Sequence, residues 1–167
     1  DGFEVLEQPR AGIRAVVSNF IKIKNNYCHN NYRWGIFTGF TDDLTLENNT
    51  CSFSEDEHGI YVSNSSDRPI IRNNHSYNNN GCGIHMNGDI SMGGDGIISN
   101  AIVEGNIIHD NGYGGGSAIN MDGVQDSEIF NNLIYNNHAT GIAMYQIDGG
   151  DASKNNKAYN NTVIQPS

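Results

Sequence analysis

Positive charge is scarce in this sequence. It has 9 lysine and arginine residues against 19 aspartate and glutamate residues, a formal net charge of −10. Because nucleic-acid binding depends on basic side chains that release counterions from phosphates, this balance argues against a nucleic-acid partner. It argues more weakly against polyanionic ligands such as pectate or heparin.

Long apolar runs are also absent. Hydrophobic residues make up 37% of the chain, and no apolar run approaches the roughly 18 residues that a membrane-spanning helix needs. We therefore expect no membrane partner. The opening segment Asp1-Gly2-Phe3-Glu4 is not a secretory signal. We expect a secreted, bacterial-type extracellular protein whose signal peptide is not part of this sequence.

The chain has three cysteines, Cys28, Cys51 and Cys82, and their spacing does not resemble a zinc site. Cys28 and Cys51 each follow an Asn-Asn-x step, so we expect them to stack in adjacent turns of the chain. Neighbouring strands lie about 4.8 Å apart, which is within disulfide reach. A disulfide and two buried free thiols both fit this placement, and the sequence favours the thiols.

A short strand pattern recurs along the chain. In the segment Gly83-Ile84-His85-Met86, apolar and polar side chains alternate. Similar segments begin at residues 35, 59, 83, 118 and 141, so the successive steps are 24, 24, 35 and 23 residues. A period in this range is typical of a solenoid. Two further short strands fit into each repeat, which predicts an all-β parallel β-helix of about six coils with three short strands per coil.

Paired asparagines recur once per repeat. They lie at 25–26, 48–49, 73–74, 131–132 and 160–161, with Gly105-Asn106 at the equivalent place. One asparagine per coil can point inward and donate a hydrogen bond to the asparagine of the next rung. We therefore interpret these pairs as structural.

We predict one β-helix domain over residues 1–167, a module of a larger protein. Residues 1–18 form an irregular first turn that could hold two strands, and residues 19–164 hold the repeats. No capping helix is evident, so we expect an appended catalytic domain or another chain to cover the N-terminal edge. The long step contains a glycine-rich insertion at 89–96, and segments 112–116 and 148–151 should project from the same side.

Alternation within the third strand of each coil assigns the Ile and Met columns to the core and the residues between them to the surface. This outward surface is aromatic at one end and polar at the other. Aromatic rings with short amide and carboxylate side chains suit a neutral sugar chain. The predicted ligand-binding residues are Trp34, Phe37, Tyr61, His85, Asn87, Asp89, Asn120, Asp122 and Tyr145.

A catalytic alternative stays open. His85 could act as a base, and Asp89 and Asp122 could supply the two carboxylates of a glycosidase, with Asp126 and Asp148 as further candidates. No lysine or arginine is expected on this face to neutralise an acidic sugar. Clustered aspartates could hold Ca²⁺, but the sequence has no ordered ligand string, so no metal or cofactor is assigned.

The Asn-Asn-x-Ile, Asn and Gly-Ile-x-Met coil resembles the right-handed parallel β-helix repeat proteins of the pectin-lyase-like superfold, over residues 19–164. That fold hosts lyases, hydrolases, epimerases and binding modules. The chain is similar to the β-helix modules of plant-polysaccharide-degrading enzymes. This resemblance implies a non-catalytic carbohydrate-binding module for a plant cell-wall polysaccharide such as xylan. The alternatives are a polysaccharide lyase or glycoside hydrolase, and a structural, adhesin-like solenoid.

Overall fold

A computed structural model describes residues 1–164 of the chain. The last three residues of the predicted domain, 165–167, lie outside the described residues. Three parallel sheets run along a solenoid of about six coils, and each coil contributes one strand to each sheet. The predicted fold class, strand number per coil and coil number are confirmed. No described helix is long and apolar enough to cross a membrane.

The strands are short, as the period requires. The first sheet comprises Lys22–Lys24, Thr45–Glu47, Ile70–Arg72, Ile102–Glu104, Glu128–Phe130 and Lys157–Tyr159. The second comprises Glu4–Leu6, Tyr27–His29, Thr50–Ser52, His75–Tyr77, Ile107–His109, Leu133–Tyr135 and Thr162–Ile164. The third comprises Ala11–Val16, Trp34–Gly39, Ile60–Ser63, Ile84–Asn87, Ile119–Asp122 and Ile142–Tyr145. A further pair is Ile98–Ser99 with Val124–Gln125, and a 3₁₀ turn spans Ile90–Met92.

The first turn holds the two strands that the sequence allowed in residues 1–18. Glu4–Leu6 pairs in register with Tyr27–His29, and Ala11–Val16 pairs with Trp34–Gly39. Val5 and Ile13 pack against the core, which explains why this stretch forms strands despite its polar flanks.

Inward columns fill the core as alternation predicts. Ile36, Ile60, Ile84 and Ile119 are completely buried, and so are Met86 and Met121. Met144, which was expected in the same column, is instead 41% exposed. Its strand lies at the end of the third sheet and has no further neighbour within the described residues to cover it. Cys28 and Cys51 are buried free thiols in register with each other.

The asparagine pairs turn one corner of every coil. Asn26, Asn49, Asn74, Asn106, Asn132 and Asn161 form an inward ladder in which each side-chain N–H₂ donates to the next side-chain oxygen over 2.9–3.1 Å. The preceding residue of each pair adopts a left-handed φ, for example 55° at Asn73 and 64° at Gly105. Asparagine and glycine tolerate that conformation best, which explains the pairing. A second ladder, which was not predicted from the sequence, links Asn79, Asn111 and Asn137.

The predicted convergence of loops is confirmed for two segments. Ile90 N donates to Asp148 O over 2.9 Å, and Gly150 N donates to Gly96 O over 2.8 Å. The insertion and the segment after Tyr145 therefore meet beside the third sheet.

Replacing Asn74 with alanine should lower the free energy of unfolding by about 2–4 kcal/mol, because it leaves buried backbone and side-chain groups of neighbouring rungs without partners. Those groups include the Asn49 N–H and the Leu46 carbonyl. Urea denaturation provides the measurement. The matched control is Asn73→Gly, an exposed position where glycine keeps the left-handed φ. Equal stability of the two variants would contradict the structural role of the ladder.

Candidate functional site

The outer face of the third sheet carries two columns of side chains along the solenoid axis. The first column, in register order, is Arg14, Phe37, Tyr61, His85, Asn120 and Ala143. The second is Val16, Gly39, Ser63, Asn87, Asp122 and Tyr145. Seven of the predicted site residues therefore lie in these two columns, namely Phe37, Tyr61, His85, Asn87, Asn120, Asp122 and Tyr145. Asp89 follows directly at the start of the insertion.

A third column lies one position before the glycine of each repeat and includes Trp34, His58 and Cys82. Backbone bonds set this stacking, because Gly35 N donates to His58 O and Gly59 N donates to Cys82 O. His58 was not among the site residues predicted from the sequence, and Cys82 was given no role on this face. The 24-residue spacing of the three positions was the available signal.

Trp34 supports the aromatic end of the face instead of presenting its own ring. The residue is 5% exposed, and its indole N–H donates to Glu57 Oε2 over 2.8 Å. Its ring centroid lies 4.6 Å from that of Phe37 and 5.9 Å from that of Tyr61. Since Phe37 and Tyr61 are partly exposed, they are the rings available to a ligand. Direct contact between Trp34 and a ligand stays a prediction, and the buried indole places Trp34 behind these two rings.

Two histidines on this face are connected in a fixed order. The Cys82 backbone N–H donates to His58 Nδ1 over 2.9 Å, so that nitrogen carries no proton. The proton of neutral His58 must then lie on Nε2, which donates to His85 Nδ1 over 2.9 Å. His85 Nδ1 accepts this hydrogen bond, so the single ring proton of neutral His85 lies on its Nε2. Gly81 makes room for this arrangement, because a Cβ there would lie 2.5 Å from His58 Nδ1.

Both imidazoles are held in the neutral form. Burial lowers the pKa of His85 to about 4, although the Asp122 carboxylate opposes the shift. Burial, with the His85 and Arg33 charges, lowers the pKa of His58 well below its usual range. The tautomer assignment therefore applies at neutral pH.

The low pKa of His85 makes stability depend on pH. Between about pH 6.5 and the folded pKa of about 4, the unfolded chain binds a proton that the folded chain rejects, so stability falls as the pH falls. The stability advantage of the wild type over His85→Asn should shrink by about 3 kcal/mol between pH 7 and pH 4. Urea titrations at each pH measure it. The exposed His138, replaced by glutamine, is the control. If the stability difference between the wild type and His85→Asn did not change with pH, His85 would not be a buried neutral imidazole.

His58, Cys82 and His85 could together hold a metal ion, because one ligand atom from each lies within 4.8 Å of the others. A metal-bound histidine normally donates its second ring N–H to an acceptor. His58 Nδ1 instead accepts an N–H, and burial raises the pKa of the Cys82 thiol to about 12. The cluster is therefore better suited to hydrogen bonding than to metal binding.

The two aspartates proposed as catalytic shape the loops. Asp122 Oδ1 accepts the backbone N–H groups of Ile147 and Gly149 over 2.9 and 3.1 Å. Its Oδ2 accepts the N–H of Asp148 over 2.8 Å. Asp89 Oδ1 accepts the backbone N–H and the hydroxyl of Ser91 over 3.0 and 2.5 Å, which starts the 3₁₀ turn. Of the further carboxylates considered, Asp148 adjoins Asn87, whereas the exposed Asp126 accepts a hydrogen bond from Asn155.

Asp122→Asn replaces one acceptor oxygen with a donor that faces backbone N–H groups. We expect amide hydrogen exchange at residues 147–149 to accelerate about 10-fold to 100-fold, and stability to fall by about 1–3 kcal/mol. The matched control, Asp126→Asn, changes an exposed residue with a left-handed φ of 51° that asparagine tolerates. Unchanged protection of residues 147–149 would show that the carboxylate does not hold the loop.

Two buried polar atoms on the strand Ile84–Asn87 have no hydrogen-bond partner in the described residues. They are His85 Nε2 and Asn87 Oδ1. Asn87 Nδ2 is engaged, since it donates to the Tyr61 hydroxyl over 3.1 Å and to Asp148 Oδ2 over 3.3 Å. This arrangement leaves one donor and one acceptor two positions apart on the same strand.

Comparison with solved structures agrees with this architecture. The periplasmic alginate epimerase AlgG superposes with a TM-score of 0.74 and 21% identity, covering 90% of this chain and 32% of its own. The A-module of the Azotobacter vinelandii mannuronan C-5 epimerase AlgE6 gives a TM-score of 0.58 and 17% identity, covering 97% of this chain and 52% of that one. An alginate lyase from Paenibacillus sp. str. FPU-7 gives 0.55 and 17%, covering 94% and 75%.

These identities establish the fold alone, and the chain spans about a third of the length of AlgG. No curated protein matches the sequence. The family described as the right handed beta helix region matches residues 4–90, about half of the chain. The stacked parallel sheets, the inward ladders and this match agree with the resemblance noted in the sequence: the chain belongs to the right-handed β-helix family.

Proposed function

We propose that this chain binds a polysaccharide along the outer face of the third sheet without cleaving it. The observation that carries the proposal is the column Phe37, Tyr61, His85 and Asn120, which places three rings and an amide on successive rungs. The His85 and Tyr61 rings are stacked, with centroids 5.0 Å apart. A rung spacing of about 4.8 Å approaches the rise of an extended sugar chain, so one polymer can contact several rungs.

The chemistry of the face favours binding over cleavage. A glycosidase needs two reactive carboxylates, whereas Asp122 and Asp89 accept hydrogen bonds that shape loops. A lyase needs a base, whereas His85 presents a protonated Nε2. The outward positions from Phe37 to Tyr145 contain no lysine or arginine within the described residues.

The solved neighbours support a polysaccharide as the ligand class, since AlgG and AlgE6 are described as epimerases of alginate and mannuronan. A plant cell-wall chain such as xylan is the ligand we propose from the resemblance to binding modules. As part of the same proposal, the chain is attached to a catalytic domain and binds its polysaccharide outside the cytoplasm. The similarity to an alginate lyase keeps a polysaccharide-modifying enzyme as the second candidate, with Ca²⁺ as the ion to supply in its assay.

The test is binding and product release measured together on xylan, β-glucan, mannan, pectin and alginate, with and without Ca²⁺. We expect binding to at least one polysaccharide, no released sugar, and an affinity about 10-fold weaker in Tyr61→Ala because a partly exposed ring is lost. Tyr159→Ala is the control, since Tyr159 is 41% exposed on the first sheet.

Released sugar that disappears in His85→Asn would replace the binding proposal with an enzymatic one. An equal loss of affinity in both tyrosine variants would instead show that the third sheet has no special role.

A further inference from the structure

Four polar groups around one point of the third sheet have no partner in the described part of the chain. Two are the buried atoms His85 Nε2 and Asn87 Oδ1. The other two are the side-chain amide of Asn120, a residue that is 9% exposed, and the hydroxyl of the partly exposed Tyr145. His85 is in register with Asn120, and Asn87 with Asp122, which in turn pairs with Tyr145. Buried polar groups are normally satisfied, so the two buried atoms without partners, His85 Nε2 and Asn87 Oδ1, indicate a ligand.

All four groups are uncharged, and their roles are complementary. The Cys82 N–H donates to His58, and His58 donates to His85 Nδ1. These two hydrogen bonds make His85 Nε2 a donor. Asn87 Oδ1 is an acceptor, while the Asn120 amide and the Tyr145 hydroxyl can each donate and accept. Burial raises the pKa of Tyr145 to about 12, which keeps its hydroxyl protonated. A mixed set of neutral donors and acceptors matches sugar hydroxyls, each of which donates one hydrogen bond and accepts others.

The surrounding charges are unfavourable to an anion. Asp148 Oδ2 lies 3.3 Å from Asn87 Nδ2, and Asp122 is next to Asn87 in the register. Arg33 is held by Glu57 and Asp56. Arg14, which lies over the Phe37 ring, is three rungs from His85. Three rungs are about 14 Å, beyond the screening length of about 10 Å at 0.1 M salt.

We propose that His85, Asn87, Asn120 and Tyr145 form a subsite for one neutral, hydroxyl-rich sugar unit, which rejects uronate units. This inference rests on the proposed function and names the substrate class of the same face. It sets this chain apart from neighbours whose descriptions name alginate. Because His85 Nε2 is buried, we expect a sugar hydroxyl to reach it only after side chains around it rotate. No side-chain hydrogen bond within residues 1–164 restrains Asn120 or Tyr145, so their rotation breaks none.

The test compares two chemically defined probes, xylohexaose and hexamannuronate, by isothermal titration calorimetry in 0.15 M NaCl with EDTA. We expect xylohexaose to bind at least 10-fold more tightly than hexamannuronate. Asn120→Ala should weaken xylohexaose binding about 10-fold, because the accessible amide is lost. Asn19→Ala is the matched control, since Asn19 is exposed and lies between the third and first sheets, away from the loops.

Long-range ¹H–¹⁵N correlations of the histidine rings supply a readout independent of affinity. They should show protons on Nε2 of both His58 and His85, and the His85 Nε2 proton should shift when xylohexaose is added. His58→Phe removes the donor to Nδ1, so His85 should then populate both tautomers. A single tautomer protonated on Nδ1 would overturn the proposed donor.

The outcomes separate the two proposals. If hexamannuronate binds as tightly as xylohexaose or more tightly, polysaccharide binding stands and the neutral subsite is wrong. If xylohexaose binds but Asn120→Ala behaves like Asn19→Ala, the sugar binds elsewhere on the face and the subsite is again wrong. If no polysaccharide of the panel binds, the proposed function fails and this inference fails with it.

Discussion

The structure depends on one requirement: a buried side-chain amide needs hydrogen-bond partners on the rungs before and after it. An inward asparagine has no water to bond its oxygen and N–H₂ group, and the neighbouring rungs supply partners for both. Asn74 shows the arrangement, because it accepts from Asn49 and donates to Asn106 and to Leu46 O. Each coil must therefore place an asparagine at the same corner, and that requirement fixes the register of all three sheets.

Because the register is fixed, outward columns could be derived from the sequence alone. Counting from the repeated glycine placed Phe37, Tyr61, His85 and Asn120 in one column, as the structure shows. Alternation along a strand predicts which side of the sheet a residue faces, but it does not predict which other side chains pack over that residue. The burial of Trp34 against Arg33 and Glu57 could therefore not be predicted. The tertiary contacts of loops were also hidden, since no period links Asp122 to residues 147–149.

The structural role of Asp122 changes how variants of this face must be interpreted. A carboxylate that accepts three backbone N–H groups will disturb its loop when replaced, whatever the chemistry of the site. Loss of function in an Asp122 variant therefore cannot identify a catalytic acid. Variants at Tyr61 and Asn120 are more informative, because Asn120 has no side-chain hydrogen bond in the described chain and Tyr61 only accepts one, from Asn87.

The chemical character of His85 is set by the backbone of a neighbouring coil. Gly81 N donates to Glu57 O and Gly59 N donates to Cys82 O, whereas the Cys82 N–H has a side-chain acceptor, His58 Nδ1, in place of a backbone carbonyl. That substitution orients two neutral rings and leaves a proton on the buried Nε2 of His85. An acid–base role needs the opposite tautomer or a charged ring, and both would break the chain of hydrogen bonds that begins at Cys82. The same solenoid that repeats the columns thus also makes His85 Nε2 a hydrogen-bond donor.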